Sequence, residues 1–466
     1  MKRKLLTYLL MLLSPYFILA QNKTKVYFVE FKGEREITAN PIKQYEGKSN
    51  NEKPITIRIY SEISFQTMEG IGGAFNEIGG EALMSLPEDQ RNEVMKNLFS
   101  EDGAGFTFCR TAVGASDFGI DAYSYSEVEG DYKMKKFSIK REKTTLLPYI
   151  QMAYKYNPTL KLFASPWSPP GWMKESGFMD GKGDKSKLID KPEIYQAYAL
   201  YFSKYIQAYA KEGIQINRLM IQNEQDATTK YPSNYMPPSE MGNFVIDYLR
   251  PQFNQDKIST EIWAGTFRTA KKLGVLEFVT NTKWRESVKG IGIQYTTSDQ
   301  IMNIKTLYPE VQLFHTEGHC HGGENSIKHA FDRFDEIASY VNYGVSNFCY
   351  WNMILNETCK SGWGWKQNSL ININRENKKV SYNPDYAALA LFSKFIRPGM
   401  QRIASTFQYH RGKNTMTFID LEKDITVFLK NESDKPVMYN LKIDDKQSNL
   451  VDIPANSMAA VQIRRK

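Results

Sequence analysis

Cysteine is scarce in this chain: four in 466 residues, at Cys109, Cys320, Cys349 and Cys359. No two stand in a CxxC pair, which argues against a zinc ribbon. Four cysteines allow three pairings, and the spacing fits equally well a bridge among Cys320, Cys349 and Cys359 or free buried thiols. Clustered positive charge is missing too. Lys and Arg are scattered among Asp and Glu, so the formal charge of +8 reads as a solvated surface and not as a nucleic-acid footprint. Beyond the first twenty residues there is no long apolar run, so no stable membrane insertion is expected.

The first twenty residues have the pattern of an export signal. Lys2, Arg3 and Lys4 precede an apolar stretch from Leu5 to Leu19, and Ala20 closes it. Its removal lowers the formal charge from +8 to +5. No Cys stands directly after Ala20 to carry a lipid. The expectation is an exported protein, periplasmic or extracellular.

What the chain has is aromatic and apolar material in a repeating order. Tyr, Phe and Trp make up 13% of the residues. Residues 21–62 contain two strand-like runs, Lys25 to Phe31 and Ile55 to Tyr60. Residues 398–466 read as further short strands: Thr415 to Ile419, Ile425 to Leu429, Met438 to Ile443 and Ala459 to Ile463. The two ends of the chain would together make one β-sandwich.

Between them, over 63–397, eight apolar strand-like runs alternate with amphipathic stretches. They are Met68 to Phe75, Phe106 to Val113, Leu160 to Ala164, Leu219 to Gln222, Glu261 to Phe267, Gly290 to Tyr295, Val311 to Phe314 and Asn347 to Met353. The clearest helix is Pro192 to Lys211, with a Tyr-rich stripe at helical spacing, Asp190 as its expected N-cap and Gly213 as its stop. Tyr at that spacing reads as core. Eight such units point to an α/β fold, a parallel (β/α)8 TIM barrel, over an open doubly wound sheet. The turn Gly70-Ile-Gly72-Gly73 fails the dinucleotide pattern, because Phe75 stands where the third Gly belongs.

Two of these runs end in a carboxylate. The run at Leu219 leads into Asn223 and Glu224, and the run at Val311 leads into Glu317. Most Glu residues are solvated surface charges. A Glu that ends a buried strand is less ordinary, and two in one chain match what a glycosidase needs. Arg110, at the end of the second run, is placed to keep a nucleophilic carboxylate ionised. Asn223 is placed to bond a sugar 2-hydroxyl.

Several motifs now combine. They are Met68-Glu-Gly-Ile-Gly-Gly-Ala-Phe75, Cys109-Arg110 with Ser116-Asp117-Phe118, Ala164-Ser-Pro-Trp-Ser-Pro-Pro-Gly-Trp172-Met-Lys174, Gln222-Asn-Glu224, His315-Thr-Glu317, Tyr350-Trp-Asn352 and Phe392-Ser-Lys-Phe-Ile-Arg-Pro-Gly399. In this order the chain resembles glycoside hydrolase family 30, which includes glucosylceramidases and endo-β-1,6-glucanases. The resemblance implies a (β/α)8 barrel with a fused β-sandwich, and retaining double-displacement hydrolysis without a cofactor. It implies Glu224 as acid/base, Glu317 as nucleophile and Arg110 beside the nucleophile. It also implies Asp117, Trp167, Asn223 and Trp351 as contacts to the sugar in the −1 subsite. Animal glucosylceramidases carry His-Trp-Tyr at the end of strand six, where this chain has Gln294-Tyr295-Thr296. The segment Ser361-Gly-Trp-Gly-Trp365-Lys-Gln-Asn-Ser369 resembles a loop of the β-1,6-glucanase-like branch, and Trp365 is carried over as a substrate contact. The implied substrate is a β-linked glucan, with a β-glucoside or glycolipid as the alternative. No protein partner is implied.

Two rival readings exist. His315, His319 and His321 bracket Glu317, and with Cys320 they suggest zinc. Neighbouring residues on one strand cannot easily converge on one ion, so the histidines are expected to line the cleft instead. A non-catalytic carbohydrate-binding protein would keep Trp167 and Trp351 but lose a carboxylate, and both carboxylates are present.

Overall fold

The computed structural model describes residues 24–465, apart from 34–36, 47–52, 183–185, 269–273 and 407–414. The expected signal segment, Met1 to Ala20, lies outside the described residues. No helix among the described residues is long and apolar enough to cross a membrane.

Eight parallel strands form the barrel: β1 Gly70–Phe75, β2 Phe108–Val113, β3 Lys161–Pro166, β4 Arg218–Met220, β5 Glu261–Arg268, β6 Ile291–Gln294, β7 Leu313–His315 and β8 Asn347–Asn352. From β1 to β7 each strand pairs with the next in sequence, and β8 pairs in parallel with β1. Single bridges Leu313↔Val345 and Gly318↔Tyr350 close the ring between β7 and β8. All eight expected strands are present, each trimmed or shifted by a few residues.

Side chains fill the barrel in layers. Phe108, Phe163, Met220, Trp263, Phe314 and Cys349 make a small core of their own inside the ring. The Arg218 guanidinium caps this layer, packed 4.3 Å from the Trp263 ring and 4.7 Å from the Phe314 ring. It is neutralised by ion pairs to Glu69 and Glu261. Arg110 packs against Phe163, at 5.8 Å. Buried cations of this kind persist because their charges are paired and their planar faces lie on aromatic rings.

The helix Pro192–Lys211 forms as expected and buries Tyr198, Tyr201, Tyr205 and Tyr209. Its N-cap is Lys191 and not Asp190. Proline at the first helical position forces the preceding residue out of the helical region, so Lys191 is extended and takes the cap position directly before Pro192. Gly213 ends it with φ +78°, and the N–H groups of Gly213 and Ile214 donate to the carbonyls of Ala210 and Tyr209. That is a Schellman stop.

The chain ends do combine. One nine-stranded sheet runs in the order Gln447–Ile453, Val437–Ile443, Ile55–Thr67, Gln401–Ser405, Thr415–Ile419, Ile425–Asn431, Ser457–Ile463, Thr24–Glu30 and Lys43–Tyr45. It folds over a core that includes Val26, Ile57, Ile403, Val427, Leu441, Val451 and Val461. The sandwich is thus one continuous curled sheet. Three of its strands were not foreseen: Lys43–Tyr45, Gln401–Ser405 and Gln447–Ile453.

All four cysteines are buried free thiols, which settles the disulfide question against a bridge. Burial pushes Cys109 and Cys320 up to about 12, so both are inert neutral thiols.

Candidate active site

Past β4 the chain threads between β3 and β5. The Asn223 N–H donates to the Pro166 carbonyl at 2.8 Å and the Gln222 N–H to the Gly265 carbonyl at 2.9 Å. Glu224 then turns with φ +45°, a left-handed conformation that is uncommon for a residue with a Cβ. Its N–H donates to the Thr266 hydroxyl at 3.2 Å, which steadies the turn. Past β7, the Gly318 N–H donates to the Cys349 carbonyl at 2.8 Å, which fixes Glu317 against β8. The two strand ends therefore present their carboxylates at the same mouth of the barrel.

Three groups hold Glu317. Arg110 Nη1 donates to Oε2 at 2.7 Å, Gln294 Nε2 approaches the same oxygen at 3.3 Å, and the Tyr295 hydroxyl donates to Oε1 at 2.6 Å. Arg110 is fully buried and spends its other donors on Ser165 Oγ, at 2.8 and 3.1 Å, the Thr316 carbonyl, at 3.0 Å, and Asn223 Oδ1, at 2.6 Å. Its guanidinium lies 4.5 Å from the Trp167 ring and 5.2 Å from the Trp351 ring. Those two indoles stack on each other with centroids 4.9 Å apart.

Gln294 Nε2 also approaches Glu224 Oε1, at 3.4 Å. One nitrogen touching both carboxylates places these two oxygens no more than about 6.7 Å apart. That bound is compatible with the ~5–5.5 Å carboxyl separation of retaining glycosidases.

The two carboxylates live in different surroundings. Burial first, and then the charge of Glu317, pushes Glu224 up to about 7, against the pull of Arg268 and Gln294. Glu317 has the guanidinium of Arg110 in direct contact. Asp117 is buried beside both. Desolvation and then the two glutamate charges push its carboxyl well above the usual carboxylate range, against the pull of Arg110. Its Oδ1 has no hydrogen-bond partner among the described residues, and neither does Trp351 Nε1.

The barrel thus gathers Arg110, Asp117, Trp167, Asn223, Glu224, Gln294, Tyr295, Glu317 and Trp351 at one mouth. Trp365 stands apart on the rim, 44% exposed, with its ring 6.3 Å from that of Tyr231. The histidines do not line the cleft as a group. His315 is buried behind the strand, where Nδ1 accepts from the Cys349 N–H at 3.2 Å and the ring stacks 4.2 Å from Phe348. Strand alternation turns it away from the side chain of Thr316. Among the described histidines only His319 comes near, its ring 4.6 Å from that of Tyr295.

Among the described residues, His321, His329 and Asp332 bring potential metal-binding atoms within 4.8 Å of one another. The two imidazoles stack in parallel at 3.8 Å, so their in-plane lone pairs do not converge. Arg333 Nη2 lies 3.1 Å from His321 Nε2 and places a positive charge there. Neither Cys320 nor His315 joins this group. The zinc arrangement around Cys320 has no geometric basis.

The family comparison decides the class. The description "Glycosyl hydrolase family 30 TIM-barrel domain" matches residues 68–396. The chain belongs to glycoside hydrolase family 30. Among relatives, "Putative glucosylceramidase 3" of Caenorhabditis elegans is 27% identical over 96% of this chain and 90% of that one. "Endo-1,6-beta-D-glucanase BGN16.3" of Trichoderma harzianum is 26% identical over 84% of this chain and 83% of that one. Among solved structures, "The endo-beta1,6-glucanase BT3312" superposes with a TM-score of 0.80 at 25% identity, covering 95% of this chain and all of that one. This family 30 protein is a glycosidase, and its substrate is a glycan or glycoside.

Some residues of the family 30 site went unread in the sequence. Arg268, the last residue of β5, sits with Nη1 3.4 Å from Glu224 Oε2 and Nε 2.9 Å from Asp226 Oδ1. Thr266 Oγ1 donates to Asn223 Oδ1 at 3.0 Å, and Thr316 Oγ1 to Gln294 Oε1 at 2.7 Å. The available signal was position alone: Thr266, Arg268 and Thr316 all stand at or just past the C-terminal ends of barrel strands.

Proposed function

We propose that this protein is a retaining β-glycosidase that cleaves β-1,6-linked glucan, with Glu317 as nucleophile and Glu224 as acid/base. The observation that carries this reading is the pair of carboxylates bridged by Gln294, one ion-paired to Arg110 and the other raised to about 7 by burial and by its partner's charge. Such a split assigns the roles.

In the first step Glu317 attacks the anomeric carbon while Glu224 gives its proton to the departing oxygen. The sugar is then bonded to Glu317, and Glu224 is a carboxylate. In the second step Glu224 takes a proton from water, the water oxygen bonds to the anomeric carbon, and Glu317 leaves with its charge restored. Asn223 Oδ1 is held by Arg110 and Thr266, which leaves Nδ2 to donate to the 2-hydroxyl. The unpartnered Asp117 Oδ1 and Trp351 Nε1 are the polar atoms a sugar hydroxyl would satisfy. The stacked Trp167 and Trp351 wall off water and offer an apolar surface to sugar CH groups.

The choice of glucan rests on Trp365 and Tyr231. An exposed indole on the rim suits a second sugar ring beyond the bond that breaks. The relatives named as glucosylceramidases support a second reading, an exo-acting β-glucosidase on glycolipid. We also propose that the enzyme acts outside the cytoplasm after loss of Met1 to Ala20.

The test is hydrolysis of a β-1,6-glucan, beside glucosylceramide and an aryl β-glucoside, with products sized over time. Oligosaccharides from the glucan, lost when Trp365→Ala is introduced, are the expected result. Cleavage of the lipid or the aryl glucoside alone would overturn the glucan assignment and favour the exo reading.

A further inference from the structure

The acid/base carboxylate has a charged neighbour that the two-carboxylate scheme does not use. Arg268 closes β5, the strand beside the one that leads to Glu224. Its guanidinium is shared between two carboxylates. Nη1 is 3.4 Å from Glu224 Oε2, and Nε is 2.9 Å from Asp226 Oδ1. The Glu224 and Asp226 side chains are 9% and 10% exposed, so these charges are only partly screened. Arg268 itself is 38% exposed at the side chain, so its removal opens no core.

We propose that Arg268, anchored by Asp226, is a positioning residue that sets the pH range over which Glu224 works as the acid.

Glu224 has two oxygens and two polar contacts on them. Oε1 takes Gln294 and Oε2 takes Arg268. The first contact is shared with Glu317 and is neutral. Arg268 is therefore the cation that approaches Glu224 directly, whereas Arg110 is bonded to Glu317. The other charged or titratable groups facing this space are Glu317, Asp117, Asp226, Tyr231 and Tyr295. Each of them, when charged, is negative and favours the protonated acid. Arg268 opposes them. Without it the acid would hold its proton more tightly and give it up less readily to the departing oxygen in the first step. Asp226 limits that opposition by drawing off part of the guanidinium's field, and it fixes the side chain so that Nη1 faces Oε2. The effect follows the rule that an opposite charge within a few ångströms favours the ionised form and a like charge disfavours it.

This inference rests on the reading of Glu224 as acid/base. The experiment is the pH profile of kcat/KM on a poor-leaving-group β-glucoside, whose alkaline limb reports loss of the acid's proton in the free enzyme. Arg268→Gln is expected to move that limb up by about one pH unit. Asp226→Asn keeps an oxygen for Arg268 Nε and removes a negative charge, so the limb is expected to move down. Arg268→Lys keeps the charge and is expected to hold the limb within a few tenths of a unit of wild type. Opposite shifts in the first two variants support the proposal. A limb that stays in place, or moves the same way in both, overturns it, even if kcat/KM falls at every pH as it would for a purely structural role. Glu224→Ala separates the two levels. If it leaves the alkaline limb intact, the acid/base assignment itself fails. If it abolishes the limb while Arg268→Gln leaves it unmoved, only the role of Arg268 fails.

Discussion

Glu142→Gln should change the pH dependence of stability while keeping the fold. Glu142 lies in the short turn Lys140–Thr144 and is fully buried. Its Oε1 accepts from the hydroxyls of Tyr123, at 2.8 Å, and Tyr125, at 2.7 Å, and its Oε2 accepts from that of Tyr209, at 2.6 Å. This knot ties the long segment after β2, which carries Asp117, to the helix Pro192–Lys211. Burial pushes the carboxyl from 4.5 up to about 7, even against its three tyrosine donors. The folded protein therefore keeps a proton on Glu142 that the unfolded chain has released. Stability from this group is complete below pH ~4.5 and is lost as pH rises through ~7. At about 1.4 kcal/mol per pKa unit the loss is on the order of 3 kcal/mol. Glutamine keeps the shape and an acceptor oxygen but cannot ionise. Urea denaturation of wild type and variant from pH 4 to 8 isolates the effect, because every other carboxylate is common to both. The wild type should lose stability relative to the variant as pH rises, most steeply between about 5 and 7. A difference that stays constant, or that grows in favour of the wild type, would refute the reasoning. It would mean that the three hydroxyls hold Glu142 ionised in the fold.

The remaining predictions concern the cleft and its walls. Arg110→Met leaves the Glu317 carboxylate buried without its cation and should cost about 3–5 kcal/mol of stability by denaturant titration, together with nearly all activity. Glu224→Ala should slow glycosides with poor leaving groups far more than activated aryl glycosides, because only the former need a proton; a kinetic comparison of the two substrate types checks this. Lys174 Nζ donates to the carbonyls of Met179, Asp180 and Ser233 at 3.1, 2.9 and 2.6 Å, and so fastens two segments beside the cleft to each other. Lys174→Met leaves three carbonyls without that donor and should lower stability by a few kcal/mol, measured by denaturation, while reducing glucan cleavage more than aryl glucoside cleavage.

The barrel was legible because each strand is buried on both faces and reads as a short apolar run. The sandwich was legible only where both halves of a strand are apolar. Gln447–Ile453 begins Gln447, Ser448, Asn449, with its first four residues largely solvent-facing, and so carried no strand signal. Gln401–Ser405 has the same fault, with Gln401 exposed at its start. In the site, Glu224 and Glu317 stood out as charges at the ends of apolar runs. Arg268 has the same placement, but a strand-ending Arg reads as an ordinary surface cation until its two carboxylate partners are seen in space. His315 shows the opposite error. Its nearness in sequence to Glu317 suggested the cleft, yet His315 is the last residue of its strand, the regular alternation does not run on to Glu317, and the ring packs on Phe348. Asp117 could be named from motif alone, but its raised pKa and unpartnered Oδ1 depend on burial beside two other carboxylates and are visible only in the fold.

The central claim is that Glu317 forms a covalent bond to the sugar. The direct measurement is to incubate the enzyme with an activated 2-deoxy-2-fluoro-β-glucoside, in which the fluorine slows both steps and the good leaving group restores the first. Intact mass and peptide mapping then locate the adduct. The account predicts one added fluoroglucosyl group, carried by the peptide that contains Glu317 and absent in Glu317→Gln. An adduct on another residue, or steady turnover to the inverted anomer with no adduct, would contradict it.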